Sequence, residues 1–176
     1  MTKKQKGFSL IELLIVVAII LIIAAIAIPN LLRSRMAANE ASAVGSIRTM
    51  NTAAISYNST YGNGFPSSIG QIGTTGTVAV SCNNAEFLDS VLTAGTKSGY
   101  TFKVLPGAVA VTTIPVGCTA AGNTDGYGAV ATPVTVGTTG QRSFCSDASG
   151  VIRFDATGAT AALTAGLCPV ALSPLQ

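Results

Sequence analysis

Residues 8–28, FSLIELLIVVAIILIIAAIAI, constrain this chain more than any other stretch, because a run this apolar has few places to go. As a helix rising about 1.5 Å per residue, it is close to 30 Å long, which matches the hydrocarbon thickness of a bilayer. From Leu13 to Ile28 no side chain is polar, yet Glu12 stands near the start. A carboxylate in hydrocarbon is costly, so a plain anchor gains nothing from it. Lys3, Lys4 and Lys6 precede the run, which the positive-inside rule reads as a cytoplasmic start.

Three readings fit such a segment. A cleaved secretory signal would use Ala25-Ile26-Ala27 as its processing site, but the run is long for a signal core and Glu12 interrupts it. A simple signal anchor leaves Glu12 unexplained. The third reading rests on the combination of a short basic leader ending in Gly7, then Phe8, Glu12 five residues into the cut chain, and Pro29 closing the run. KKQKGFSLIELLIVVAIILIIAAIAIPN resembles the N-terminus of type IV pilins and of the pseudopilins of type II secretion. That resemblance implies cleavage between Gly7 and Phe8, N-methylation of Phe8 by the same prepilin peptidase, and assembly through the helix that follows.

Elementary electrostatics gives Glu12 a purpose under this reading. Cleavage creates an α-amino group on Phe8, and the carboxylate of Glu12 offsets it, in a neighbouring subunit or one helical turn away in its own chain. A buried charge is tolerated when paired, and stranding one partner costs about 3–5 kcal/mol. Pro29 removes a backbone donor and clashes one turn back, which predicts a kink. Beyond it, Leu32, Met36, Val44, Ile47, Met50 and Ala54 recur mostly at steps of three and four. They predict an amphipathic helix ending near Ser56, with Tyr57 and Tyr61 packing at its junction with the head. Asn58-Ser59-Thr60 is a formal glycosylation sequon at the start of an expected loop.

The expected domains are therefore a leader at 1–7, a transmembrane and polymerisation helix at 8–28, an amphipathic helix at 29–57, and a β-rich head at 58–176. The fold class is α+β, a long N-terminal helix packed on a small antiparallel sheet, the pilin fold that the resemblance implies. In the head, residues 83–95 read as a short helix capped by Asn83. Strand patterns occupy 99–105, 108–113 (AVAVTT), 127–134, 142–146 and 151–155, giving four or five strands. "CTAAGNTDGYG" and "CPVALSPLQ" read as surface loop and tail. Cys82, Cys118, Cys145 and Cys168 are spaced by 36, 27 and 23 residues, match no zinc pattern, and have no histidine to join them. An even count in an exported chain points to two disulfides; of the three pairings, nearest neighbours give Cys82 with Cys118 and Cys145 with Cys168.

Chemistry is conspicuously missing from the sequence. It has no histidine, no nucleophile motif and no phosphate-binding loop, so neither an enzyme nor a cofactor is expected. The net charge of +3 comes from the three leader lysines; without them seven basic residues face seven acidic ones, which argues against a nucleic-acid partner. Asp147-Ala148-Ser149-Gly150 recurs as Asp155-Ala156-Thr157-Gly158, two Asp-led turns around VIRF. Asp125, Asp147 and Asp155 are the only calcium candidates, and one acid per turn makes a poor site. The expected function is a structural subunit of a type IV pilus, for adhesion, motility or DNA uptake; the alternatives are a type II secretion pseudopilin and a membrane-tethered binding domain. The implied partners are further copies in a filament, the prepilin peptidase and an inner-membrane assembly platform. The chain is expected first in the inner membrane, with its N-terminus cytoplasmic, and then in an extracellular or periplasmic filament.

Overall fold

The computed structural model describes residues 8–74, 76, 79–115, 117, 118 and 122–175. They divide between Arg35 and Met36 into two compact units, and one helix, α1 (Leu10–Tyr61), contributes to both.

In the first unit the described chain is helical from Leu10 onward, with Pro29 inside the helix. Its large apolar side chains are exposed on every side, from Leu10 and Ile11 through Ile28 to Leu31 and Leu32. That is the pattern of a segment whose partners are lipid or other helices. Leu32, expected on the head-facing stripe, is exposed with the rest.

The second unit holds the core. Ala43, Ile47, Met50, Ala54 and Tyr57 follow one another at steps of four and three, and all are buried. The helix outruns the expected end at Ser56 and closes at Tyr61. The rings of Tyr57 and Tyr61 pack one turn apart, 5.1 Å between centroids. Gly62 then takes φ 63° and donates its N–H to the Asn58 carbonyl, a left-handed cap that only glycine enters cheaply. The sequon at Asn58 thus lies in a helical turn, not on a loop.

Against this helix lies one antiparallel sheet of six strands in chain order: β1 (Thr96–Lys97), β2 (Tyr100–Pro106), β3 (Tyr127–Pro133), β4 (Ser143–Asp147), β5 (Arg153–Asp155) and β6 (Ser173–Pro174). Period-two alternation sorts the side chains. Tyr100, Phe102, Val104, Ala129, Ala131 and Phe144 join the helix residues in the main core. Ala131 sits between Phe102 and Phe144 in the cross-strand register, a small side chain flanked by two large ones. On the other face Val130 and Cys145 are covered by Ala161 and Cys168, with Leu105, Leu163 and Leu172 packed around them. β3 and β4 are therefore buried on both sides.

Several expectations change here. Residues 83–95 do not form one helix; only α3 (Ser90–Thr93) is helical, capped by Asp89, whose carboxylate accepts the Leu92 N–H at 2.9 Å. The amides of Ala85, Glu86, Phe87 and Leu88 bond instead to the carbonyls of Gln71, Gly73 and Ile72 around α2 (Ile69–Ile72), and Glu86 has φ 57°. Long-range pairing overrides local helix propensity. AVAVTT at 108–113 joins no strand of the sheet; it lies beside residues 123–125, ahead of β3, through an isolated antiparallel bridge from Ala110 to Thr124. The expected loop and tail are partly structural: Asn123 and Thr124 are buried, and Ser173–Pro174 is the sixth strand.

Candidate functional site

The first helical turn begins where the sequence places its anomaly. Phe8 and Ser9 are non-helical, and Phe8 is 82% exposed. The Ser9 N–H donates to Glu12 Oε2 at 2.9 Å, while the Leu13 N–H reaches the Ser9 carbonyl at 3.3 Å. This is half of a capping box: a glutamate in the third helical position satisfies an amide that the helix leaves orphaned. The motif Ser9-Leu10-Ile11-Glu12 carries that signal openly, and a reading of Glu12 as a charge alone passes over it. The carboxylate also lies at the positive end of the helix dipole, where an anion is favoured. Glu12 is thus held beside the backbone that leads to Phe8. Gly7 lies outside the described residues.

A family model described as the prokaryotic N-terminal methylation motif matches residues 2–28. Those residues carry that motif. The major component of the type IV wide pilus of Thermus thermophilus is 63% identical to this chain over 38 residues. That alignment covers 22% of this chain and 29% of the relative, so the pilin likeness in sequence is confined to one short stretch. No solved structure matches the chain.

The second unit is locked by an ion pair that sequence reasoning missed. Glu40, buried on α1, accepts the N–H groups of Gln141 at 2.9 Å and Arg142 at 3.1 Å through Oε1. Its Oε2 takes Arg142 Nε at 2.8 Å and Nη2 at 2.7 Å. Burial works against the charge, but the two amides and the guanidinium outweigh it and hold the Glu40 carboxyl below its ordinary value. The guanidinium lies over the rings of Phe144 and Phe154, 5.6 and 5.2 Å from their centroids. No local motif announces this contact, because its partners are about 100 residues apart in sequence.

A second polar node centres on Tyr57, fully buried, whose hydroxyl donates to the Cys82 carbonyl at 2.6 Å. It accepts from Asn63 Nδ2 and Asn123 Nδ2, tying the helix end to the loop closed by Cys82 and Cys118. The structure pairs Cys82 with Cys118 and Cys145 with Cys168, at Cα separations of 5.6 and 5.8 Å. The second bridge fastens the covering segment to β4.

The three calcium candidates are scattered and engaged elsewhere. Asp125 Oδ1 accepts the Val109 N–H; Asp155 Oδ1 accepts the N–H and hydroxyl of Thr157. Asp147 accepts the Ser149 N–H on one oxygen and the Cys168 N–H on the other. Burial raises the Asp147 carboxyl, but these bonds prevail and leave it below its ordinary range. Among the described residues no three His, Cys, Asp or Glu side chains converge to hold a metal. The two Asp-led turns are real: Gly150 and Gly158 donate back to the carbonyls of Asp147 and Asp155.

Proposed function

We propose that this chain is the structural subunit of a type IV pilus, cut between Gly7 and Phe8, N-methylated on Phe8 and polymerised through residues 8–28. The observation that carries the reading is the uncovered apolar surface of α1, which begins at a held carboxylate on Glu12. Lipid covers that surface before assembly, and copies of the same helix cover it afterwards. Once the leader is gone, Glu12 faces a new positive charge on Phe8, and pairing the two lowers the cost of carrying either into the fibre. Pro29 eases bending of the helix as subunits pack. The prepilin peptidase and the inner-membrane platform are the partners this route needs. Adhesion, motility and DNA uptake are the roles open to such a fibre.

Support for a pilus over a secretion pseudopilus comes from the relative, itself a wide-pilus component. Electron microscopy of cells with and without the gene tests the choice. Loss of long surface fibres is expected; intact fibres with failed protein export would select the pseudopilin instead. Glu12→Ala should abolish assembly, and a variant that assembles normally would remove the basis of the account.

A further inference from the structure

Residues 108–113 have the composition of a strand, but the sheet leaves them out. The β2–β3 pairing explains this. Seven consecutive partners, from Tyr100 with Pro133 to Pro106 with Tyr127, join the two strands directly, so no strand can enter between them. AVAVTT is displaced into the connection, where it bonds along one side only. The Val111 N–H donates to the Asn123 carbonyl at 2.9 Å, and the Asp125 N–H donates to the Val109 carbonyl at 2.9 Å. In an antiparallel ladder this arrangement turns the N–H and C=O groups of alternate residues, here Ala110 and Thr112, to the opposite side. Those groups have no backbone partner among the described residues. The side chains around them are apolar and open: Val109 is 60% exposed and Ile114 is 45% exposed.

Natural sheets guard such an edge with charges, bulges or proline within the strand. Between Pro106 and Pro115 this segment, GAVAVTTI, contains none of these side chains. We propose that residues 109–113 form an edge that pairs antiparallel with the same edge of a second copy of this chain. The occupant follows from the chemistry. Open backbone donors and acceptors in an extended segment match those of another extended strand, and a segment without charge pairs with itself free of like-charge repulsion. The outward groups fix the register. Ala110 exchanges two hydrogen bonds with Thr112 of the second copy and Thr112 exchanges two with its Ala110, so Val111 faces Val111 and Val109 faces Thr113. The contact is two-fold and self-complementary. In a polar fibre of the kind proposed above, subunits are related by rotation and rise along one axis, so this contact joins two fibres side by side. That consequence rests on the pilus reading; the pairing itself does not.

Cysteine cross-linking of the full-length chain in detergent micelles tests the register. The four native cysteines are all in disulfides, so an introduced one is the sole free thiol. Facing residues of a non-hydrogen-bonded pair lie about 4.5 Å apart at Cα, within disulfide range. Val111→Cys should therefore give disulfide-linked dimers on mild oxidation, well above the yield from the exposed control Thr138→Cys. In the Val111→Cys background, adding Val109→Lys and Thr113→Lys sets like charges opposite each other twice and should lower the yield roughly fivefold. Val109→Lys with Thr113→Glu should restore it. Equal cross-linking at positions 111 and 138, or a yield indifferent to the charge pattern, would overturn the proposal, whether or not the chain builds fibres.

Discussion

Replacing Glu40 by alanine is the most informative single perturbation of the head, because that carboxylate serves three groups at once. The substitution removes the acceptor of two backbone N–H groups and the counter-charge of Arg142. A buried amide left unpaired costs about 1–3 kcal/mol, and water reaches the Gln141 amide more easily because that residue is exposed. The Arg142 side chain is 38% exposed and regains hydration, so the lost ion pair adds no more than about 1 kcal/mol. The total is about 3 kcal/mol. Arg142→Ala leaves both amides on Glu40 and loses the pair and the stacking on Phe144 and Phe154, for about 1–2 kcal/mol. Glu40→Gln keeps an oxygen for the amides and loses the charge, at about 1 kcal/mol. Urea unfolding of the full chain in mild detergent, followed by near-ultraviolet circular dichroism of the tyrosines, measures all three. Hydrogen exchange at Gln141 and Arg142 should quicken in Glu40→Ala and stay slow in Glu40→Gln. If Arg142→Ala proved more damaging than Glu40→Ala, the carboxylate's hold on the backbone would not be the dominant contribution.

Other consequences are equally direct. Glu40, Asp147 and Asp155 have carboxyls held below their ordinary values, so each contributes stability above the unfolded-state value and loses it as pH falls through the lower folded one. Stability should thus be level near neutrality and decline below about pH 4.5, the ordinary Glu value, with a shallower decline in Glu40→Gln. Replacing Cys145 and Cys168 together by serine opens a loop with a sequence separation of 23 and should cost about 2–4 kcal/mol, with faster proteolysis of the segment covering β3 and β4. Gly128→Ala places a methyl 2.6 Å from the Gly166 carbonyl oxygen and into Leu163, and should lower stability by about 1–3 kcal/mol. Gly126→Ala, which meets nothing, is the control; equal melting temperatures for the two variants would contradict the packing described for that face.

What the sequence discloses follows from how far each interaction reaches along the chain. The apolar run, the basic leader and Glu12 are legible because their meaning lies within one window. The buried stripe from Val44 to Ala54 is legible because helical period is local, and the cores of β2 to β5 are legible because period two is local as well. The Asp-led turns at Asp147 and Asp155 belong to the same class. Glu40 and Arg142 are not legible: nothing near either names the other. The helix expected at 83–95 fails for the same reason, since the carbonyls of Gln71, Ile72 and Gly73 take up its amides.

AVAVTT marks the opposite limit, where the local reading is chemically sound and the fold declines to use it. Alternating valines with two threonines favour extended backbone, and the segment bonds as a strand does along one side, through Val109 and Val111. It joins no sheet strand because β2 and β3 satisfy each other over seven pairs, which leaves no place for it between them. Its strand propensity is not cancelled by this. Turned outward at Ala110 and Thr112, the same preference that misleads about the sheet becomes a reason for a second chain to bind. Unlike the mismatch at 83–95, which bonds within the chain, this one leaves Ala110 and Thr112 without a backbone partner among the described residues, and the register of the cross-link at Val111 decides whether a second copy supplies it.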